Sequence, residues 1–373
     1  MYRSGTERNT DMAGFVKGMD LCRGFYRDCV RGILDDCFPG LAYSAGLIGY
    51  GSDVLGYDDP VSTDHMWGPR LWLFLRECDM GLAGEIMSVL SHRLPCTYRG
   101  YSVNFSAPDA NDNGVRHPEY VESGPVHPLL WIRSFGDFLT EQLGTPNPDS
   151  LSCADWLALS EHRLLSLVSG QFFHDGLDCA AVVEKLRFYP RPVRLYLIAS
   201  AWDSIASEQA FLRRAGDVED DIGSRLICAR ICERLMRLCF LYKGVYAPYS
   251  KWFGTAFGKL DIDPAIGQSI REALAADNVI LREEKLIRAM VLTAQMHNES
   301  GLAAPVPVSV QDYYGRDIRV IFAEQWAEAA MSELSGTELK HFPRIGSFSQ
   351  LAGLSDFSDD PANYRKIADF YRE

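Results

Sequence analysis

Two short apolar runs, separated by a loop rich in glycine and aspartate, place the strongest limit on how this chain folds. Residues 41–50 and 69–75 are the two runs, and turn residues bound each of them. Apolar runs of this length predict buried strands. Before them, segment 12–38 repeats apolar residues at steps of three and four, which predicts an amphipathic helix ended by Pro39 and Gly40. The N-terminal part is therefore predicted to mix helices with strands.

The character of the chain changes near residue 148. Before that point we also expect a helix over 79–93, a third strand with period-two alternation over 96–105, and a strand near 129–135. Helical periodicity dominates afterwards, and a shorter α/β tail follows. The predicted class is α+β, a mixed-sheet head with a larger and mostly helical second domain. We divide the chain into an α/β head, a helical domain and a small C-terminal extension, with the ranges 1–148, 149–300 and 301–373.

Charge and composition limit the kinds of molecule that this protein is expected to bind. The chain carries a net charge of −13 with a pI near 5.1, and so negative a surface repels long nucleic acid. No apolar run approaches the roughly 18 residues that span a membrane, and the N-terminus is polar. The ten cysteines include no CxxC pair, which favours core packing over disulfides. We expect a cytoplasmic protein that binds a small-molecule or nucleotide substrate and does not bind membranes or long nucleic acid. A homodimer is compatible with the sequence.

Segment 47–70 contains the sequence pattern that indicates a catalytic or phosphate-binding function. A predicted strand ends at Gly51 and Ser52, a turn follows, and Asp64 opens the next strand. Glycine lets the backbone approach nucleotide phosphates, and serine with exposed N–H groups can hold a phosphate oxygen. A carboxylate on the adjoining strand can hold Mg²⁺, which neutralises charge that develops on the transferred phosphorus. Phosphoryl and nucleotidyl transfer need this arrangement.

These residues also carry a family resemblance. The order strand, Gly51-Ser52, turn and Ser62-x-Asp64 resembles the head of the nucleotidyltransferase superfamily, which includes DNA polymerase beta and the kanamycin nucleotidyltransferases. More narrowly, GYGSDVLGYDDPVSTDHMWGPR resembles the bacterial family called domain of unknown function 4037, and later pieces such as YAPYSKWFGTAF resemble it too. The resemblance implies transfer of a nucleoside monophosphate from ATP or another nucleoside triphosphate, with Mg²⁺, to a small-molecule or protein hydroxyl.

The resemblance also implies roles for individual residues of the head. Asp64 would hold the metal and act in catalysis, and His65 is the second catalytic candidate. Gly51 and Ser52 would hold the phosphates, and Arg70 would balance the remaining charge. Asp64 beside His65 is equally compatible with a turn-capping aspartate next to a core histidine.

Two further motifs lie in the later part of the chain. Segment 246–257 is rich in aromatic residues and contains Tyr249 and one lysine, Lys251. It predicts either a base-stacking wall with Lys251 reaching a phosphate, or an elbow between helices with packed rings. His174 and Asp175 resemble the pair of a metal phosphohydrolase, but a structural histidine oriented by its aspartate is the favoured interpretation.

One departure from the family pattern concerns residue 66. The superfamily usually carries two carboxylates two residues apart, and here the second position is Met66, whose thioether is a poor ligand for Mg²⁺. Either nucleotide transfer is lost or a nearby acid substitutes, the candidates being Asp53, Asp58 and Asp59. A third carboxylate is expected on the predicted strand 96–105, which has none; the acids downstream are Glu119 and Glu122.

Three functions follow from these patterns. The favoured one is nucleotidyl transfer. The second is a non-catalytic descendant that binds a nucleotide or metabolite as a sensor or partner protein. The third is a metal-dependent lyase or hydrolase that uses His65 or His174 in the same cleft. Met66 is compatible with both alternatives.

Overall fold

The computed structural model describes residues 15–63, 66–112, 114–352, 357 and 360–372. The chain divides into two units, each with its own core. The first comprises Met1–Phe138 and Ser166–Glu184, and the second comprises Leu139–Leu165 and Lys185–Glu373. The domain ranges derived from the sequence stay a prediction.

A four-stranded mixed sheet forms the centre of the first unit. The strands along this part of the chain are β1 Tyr43–Leu47, β2 Arg70–Leu75, β3 Thr97–Tyr98, β4 Tyr101–Ser102, β5 Leu129–Ser134 and β6 Gln171–Asp175. The sheet order is β5-β2-β1-β6; β2 runs parallel to β5, and β1 runs antiparallel to both β2 and β6. Strands β1 and β2 are buried at every residue, as expected for the mostly apolar central strands of a sheet covered on both faces. Both predicted strands are confirmed.

Helices cover one face of this sheet, and aromatic rings cover the other. Helices α1 (Gly18–Phe25) and α2 (Arg31–Cys37) are joined by a π-helical turn, and α3 spans Ala83–Arg93. Leu71, Leu73 and Leu75 pack in one core with the buried residues of α1. Because side chains alternate along a strand, Trp72 and Phe74 point the opposite way. Their rings contact the ring of Phe138 at centroid distances of 5.0 and 5.2 Å.

The predicted third strand over 96–105 is wrong. This segment folds back on itself as the β3–β4 hairpin, which forms a separate two-stranded sheet. Arg99 and Gly100 both have positive φ, 49° and 83°, and two such residues make the tight turn that joins twisted antiparallel strands. The segment with the alternating pattern therefore forms a hairpin. Strands β5 and β6 are the edge strands of the main sheet.

Helices build most of the second unit. The helices that follow along the chain are α4 Phe135–Leu143, α5 Cys153–Ala158, α6 Glu161–Val168, α7 Cys179–Glu184, α8 Arg191–Glu208, α9 Phe211–Asp217, α10 Asp221–Lys243, α11 Ser250–Phe257, α12 Pro264–Ala275, α13 Val279–Ser300, α14 Glu324–Ser332, α15 Phe348–Leu351 and α16 Pro361–Arg372. Helix α10 packs against α8, α9 and α13, and α8 also packs against α14. A small sheet joins β7 (Gln311–Asp312) to β8 (Arg319–Val320).

The expected α+β class is confirmed, since a mixed sheet in the first unit accompanies a mostly helical second unit. None of the helices in the described part of the chain is long and apolar enough to cross a membrane.

Candidate functional site

The loop between β1 and β2 is organised by a buried ion pair. Arg70 opens β2, and its Nη2 lies 2.7 Å from Asp53 Oδ1, with both side chains 1 % exposed. The same Nη2 donates to the carbonyl of Tyr50 at 3.1 Å, and the guanidinium lies 4.5 Å from the centre of the Tyr50 ring. Burial opposes the charged form of Arg70, but the Asp53 carboxylate together with Tyr50 and Cys22 outweighs burial and raises the pKa of Arg70. Arg70 therefore stays charged inside the fold.

Gly51 lies directly beneath this ion pair. Its φ is +115°, and a Cβ there would collide with Asp53 Oδ1 and Arg70 Nη2. The ion pair therefore requires glycine at this place independently of any ligand, because every other residue brings a Cβ. Its implied role in holding phosphate stays a prediction.

After Gly51 the chain makes one helical turn, and backbone amides at its start have no hydrogen-bond acceptor among the described residues. Leu55 donates to the carbonyl of Gly51 at 3.3 Å, and Tyr57 donates to that of Ser52 at 2.8 Å. The amides of Gly51, Ser52 and Asp53 have no acceptor among the described residues. The Ser52 hydroxyl is half-buried and makes one long hydrogen bond, 3.4 Å, to a loop carbonyl. Successive free amides at the start of a turn attract anions.

Asp58 connects this loop to α1. Its Oδ2 accepts from the amide of Gly18 at 2.7 Å and from the indole N–H of Trp67 at 3.2 Å. Lys17 Nζ lies 3.4 Å from the other oxygen, Oδ1. A carboxylate at a helix N-terminus interacts favourably with the helix dipole. Asp58 is thus a structural anion that joins the loop to the helix.

These contacts decide whether nearby acids could replace the carboxylate missing at residue 66. Asp53 and Asp58 each have one buried oxygen without a hydrogen-bond partner in the described part of the chain, but each also faces a cation, Arg70 or Lys17. A divalent ion there would be repelled by that cation. Asp59 accepts from two loop amides at 2.8 and 2.9 Å. The three acids therefore do not fit a magnesium site, and the described residues contain no group of three His, Cys, Asp or Glu side chains able to hold a metal.

Asp64 and His65, the predicted catalytic pair, lie outside the described residues. Their roles, including metal binding by Asp64, stay predictions. The downstream acids Glu119 and Glu122 are exposed in the loop before β5.

Met66 lies in a bent part of the loop, four residues before β2 begins. Its φ is +48° and that of Gly68 is +146°, so this segment is not pleated like a strand. The Tyr50 hydroxyl lies 3.9 Å from the Met66 sulfur. Met66 is therefore not a position on β2, and the alternation of side chains along a strand does not apply to it, because that alternation requires extended backbone.

The histidine and aspartate of β6 have separate structural roles. His174 packs against the ring of Tyr43 at 4.4 Å. Asp175 accepts from the Ser44 hydroxyl at 2.7 Å and from the amides of Cys179 and Ala180 at the start of α7. The expected orientation of His174 by Asp175 is thus replaced by a helix cap. Both residues make contacts that hold the fold together, but His174 is not oriented by Asp175 as expected.

Tyr249 and Lys251 lie in the second unit and differ in their surroundings. Tyr249 precedes α11, lies edge-on to His162 at 4.8 Å, and lines a cavity of about 450 Å³. Lys251 is exposed, and its ammonium lies over the ring of Trp252 at 4.9 Å. Of the two residues, only Tyr249 lines that cavity. Their predicted role at a shared nucleotide site stays a prediction.

The same cavity contains polar residues that the sequence did not single out. Glu161 is buried; its Oε1 accepts from the amide of Ala247 at 3.0 Å, and its Oε2 lies 3.4 Å from Arg237 Nη1. Burial raises the pKa of Glu161, and Arg237 partly offsets that rise. Glu161 and Arg237 are 76 positions apart, and no local motif connects them.

Comparisons with known proteins agree with part of the resemblance. Residues 156–253 match the model of a family described as domain of unknown function (DUF4037), which confirms the narrower resemblance over that segment. A nucleotidyltransferase-like protein from Exiguobacterium sibiricum 255-15 matches with 15 % sequence identity and a TM-score of 0.32, over 74 % of this chain and 76 % of that one. Curated proteins include no match to this chain.

Proposed function

We propose that this protein binds a nucleoside triphosphate at the turn after β1 and transfers its nucleoside monophosphate to a small-molecule or protein hydroxyl. What supports the proposal is the turn itself: the amides of Gly51, Ser52 and Asp53 have no acceptor in the described part of the chain, and the Ser52 hydroxyl makes only a long hydrogen bond. Phosphate oxygens are strong acceptors and suit such a set of donors.

The ion pair behind the turn supports binding by fixing the donors rather than by attracting charge. Asp53 neutralises Arg70, so the pair contributes little net field at the loop. It does hold the Gly51 backbone in place, because Arg70 Nη2 also bonds the carbonyl of Tyr50. Donors fixed in advance need no reorganisation when an anion binds.

Catalysis in this proposal depends on Asp64 and Mg²⁺. The metal would neutralise charge on the triphosphate, and Asp64 would hold it, with His65 as the adjacent catalytic candidate. The turn would hold the phosphates, and the acceptor hydroxyl would attack the α-phosphorus and displace pyrophosphate.

A second candidate function is nucleotide binding without transfer. Two observations favour it: Met66 stands where a second carboxylate is expected, and the neighbouring acids Asp53 and Asp58 face cations of the fold. A single remaining carboxylate would hold Mg²⁺ weakly. Binding and transfer therefore need separate measurements.

Binding is tested by thermal unfolding with each of the four common nucleoside triphosphates at millimolar concentration, with and without Mg²⁺. A ligand of the native state raises the melting temperature by mass action. We expect Ser52→Ala to reduce the shift, and Ser106→Ala, at another half-buried hydroxyl of the same unit, to leave it unchanged. No shift with any triphosphate would contradict both candidate functions.

Transfer is tested by release of pyrophosphate and by the fate of a label on the α-phosphate. Loss of release in Asp64→Asn would support the enzyme. A triphosphate that binds but is never cleaved, in the presence of candidate hydroxyl acceptors, would favour the non-catalytic function.

A further inference from the structure

Two cavities of the second unit meet at one pair of side chains. The larger, about 450 Å³, is lined by apolar and aromatic groups that include Met236, Tyr249, Phe253 and Leu274, with Glu161 in its wall. The smaller, about 250 Å³, is lined by Arg230, Arg234, Ser200 and Ser204. Glu233 and Arg237 of α10 line both. An apolar compartment therefore adjoins a basic one.

The larger cavity suits a flat ring that carries hydrogen-bond donors. Tyr249 and Phe253 are four residues apart, which places them on neighbouring turns of one face at the start of α11. The Phe253 ring lies 5.5 Å from the ring of Phe240 and 5.1 Å from the guanidinium of Arg237. Flat ligands stack on such rings.

Glu161 adds a polar group to this apolar wall. Its carboxylate accepts one hydrogen bond from the Ala247 amide and one long contact from Arg237. An ionised carboxylate has about four acceptor sites, so it can accept further donors. An N–H or NH₂ group on a ring in the cavity would supply them. Nucleobases carry such groups.

The smaller cavity suits an anion. Arg230, Arg234 and Arg237 follow one another at steps of four and three along α10, which aligns them on one helix face. Glu208 pairs with both Arg230 and Arg234, and Glu233 pairs with Arg237. Arg234 donates from Nη1 alone; its Nε and Nη2 have no acceptor among the described residues. Glu161 also pairs with Arg237, so three carboxylates balance the three guanidinium groups. An anion in this cavity would be held by the open donors of Arg234.

We propose that the second unit binds a nucleoside monophosphate, with the base in the aromatic cavity against Glu161 and the phosphate in the arginine cavity against Arg234. A monophosphate carries about two negative charges and a triphosphate about four, so a group of arginines without excess charge suits the monophosphate better. Arg237, which lines both cavities, lies where the two parts of the ligand join. The site is built wholly from residues of the second unit and does not depend on the proposed triphosphate site.

The test is isothermal titration of the full chain with the four common nucleoside 5′-monophosphates, their nucleosides and inorganic phosphate. We expect at least one monophosphate to bind about tenfold or more tightly than both its nucleoside and phosphate, since charged hydrogen bonds contribute about 1.5–3 kcal/mol. Arg234→Gln should reduce monophosphate affinity to near that of the nucleoside while leaving nucleoside affinity unchanged. Phe253→Leu should weaken both.

Two controls keep the result specific. Arg225→Gln removes an exposed arginine of the same helix that pairs with Asp221, and it should leave affinity unchanged. Ser52→Ala should also leave it unchanged, so failure of this site and failure of the triphosphate site are distinguishable. Melting temperatures show whether each variant is folded. The proposal is overturned if no monophosphate binds more tightly than its nucleoside, or if Arg225→Gln weakens binding as much as Arg234→Gln.

Discussion

Arg70 and Asp53 are 17 positions apart in sequence, yet Nη2 and Oδ1 lie 2.7 Å apart with both side chains almost completely buried. A buried charge that loses its partner is strongly destabilising, because its desolvation is no longer offset. This pair therefore makes the β1–β2 loop sensitive to single substitutions at either end.

We expect Arg70→Met and Asp53→Leu each to lower the free energy of unfolding by about 3–5 kcal/mol. The double variant should recover part of that loss, because neither charge is then left unpaired in the core. Urea unfolding of the four proteins gives the coupling energy. Arg76→Gln is the control: Arg76 pairs with Asp79 at the surface, and its loss should cost less than about 1 kcal/mol. Strictly additive single effects would contradict the coupling.

Gly51 and Gly56 provide a matched pair for the geometry of the same loop. Both have positive φ, but a Cβ at Gly51 would strike the ion pair, whereas nothing lies within 4 Å of a Cβ at Gly56. We expect Gly56→Ala to cost about 1 kcal/mol from backbone conformation alone. Gly51→Ala should cost about 2 kcal/mol or more, because displacement of the ion pair is added to the backbone strain. Equal losses in urea unfolding would show that the collision is relieved without cost.

Burial patterns explain which elements could be predicted from the sequence. Strands β1 and β2 are short runs of mostly apolar or small residues bounded by turn residues, and this pattern predicts buried strands. Segment 96–105 has the alternation of a strand, but the turn at Arg99 and Gly100 makes it a hairpin. The preference of a chain for one long strand or two short ones depends on the conformation of those two residues, which alternation does not encode.

The candidate sites could be predicted only where their residues are local in sequence. Gly51 and Ser52 are adjacent in sequence, so their motif can be recognised from the sequence alone. Glu161, the first residue of α6, and Arg237 of α10 meet only in the folded second unit, so no spacing in the sequence connects them. The engagement of Asp58 by Lys17 and by the first amide of α1 was hidden for the same reason. An acidic residue near a motif can therefore be taken from the sequence as a metal ligand although its carboxylate already pairs with groups of the fold.

His297 should make the stability of the protein depend on pH. Trp202 Nε1 donates to the Tyr242 hydroxyl at 2.7 Å, and that hydroxyl shares a hydrogen bond of 2.9 Å with His297 Nδ1. Burial lowers the pKa of His297 from 6.5 to about 4. Between these values the unfolded chain binds a proton that the folded chain does not, so stability is full above pH 6.5 and falls as pH drops toward 4.

The size of that change is at most about 3 kcal/mol. Urea unfolding at several pH values should show it, together with the contributions of other groups. His297→Gln keeps an acceptor for Tyr242 but does not titrate, and it should reduce the slope by about one proton. An unchanged slope in this variant would mean that His297 is protonated equally in both states.

Met66 decides between an enzyme and a binding protein, and its backbone makes the decisive substitution feasible. Its φ of +48° lies in the left-handed region, which aspartate and asparagine adopt more readily than methionine. Met66→Asp should therefore fold, and so should the uncharged control Met66→Asn. If the protein is a weakened nucleotidyltransferase, a carboxylate at residue 66 adds a ligand for the metal and turnover rises in the aspartate variant alone.

We expect that result: pyrophosphate release should increase about tenfold or more in Met66→Asp, stay near the wild-type level in Met66→Asn, and disappear in Asp64→Asn, since electrostatic groups at a reacting phosphate contribute several kcal/mol. Equal effects of the aspartate and asparagine variants would mean that relief of backbone strain, rather than charge, changes the rate. Activity that survives Asp64→Asn unchanged would remove the metal site altogether, because no other carboxylate in the described part of the loop is free of a neighbouring cation or a capping role.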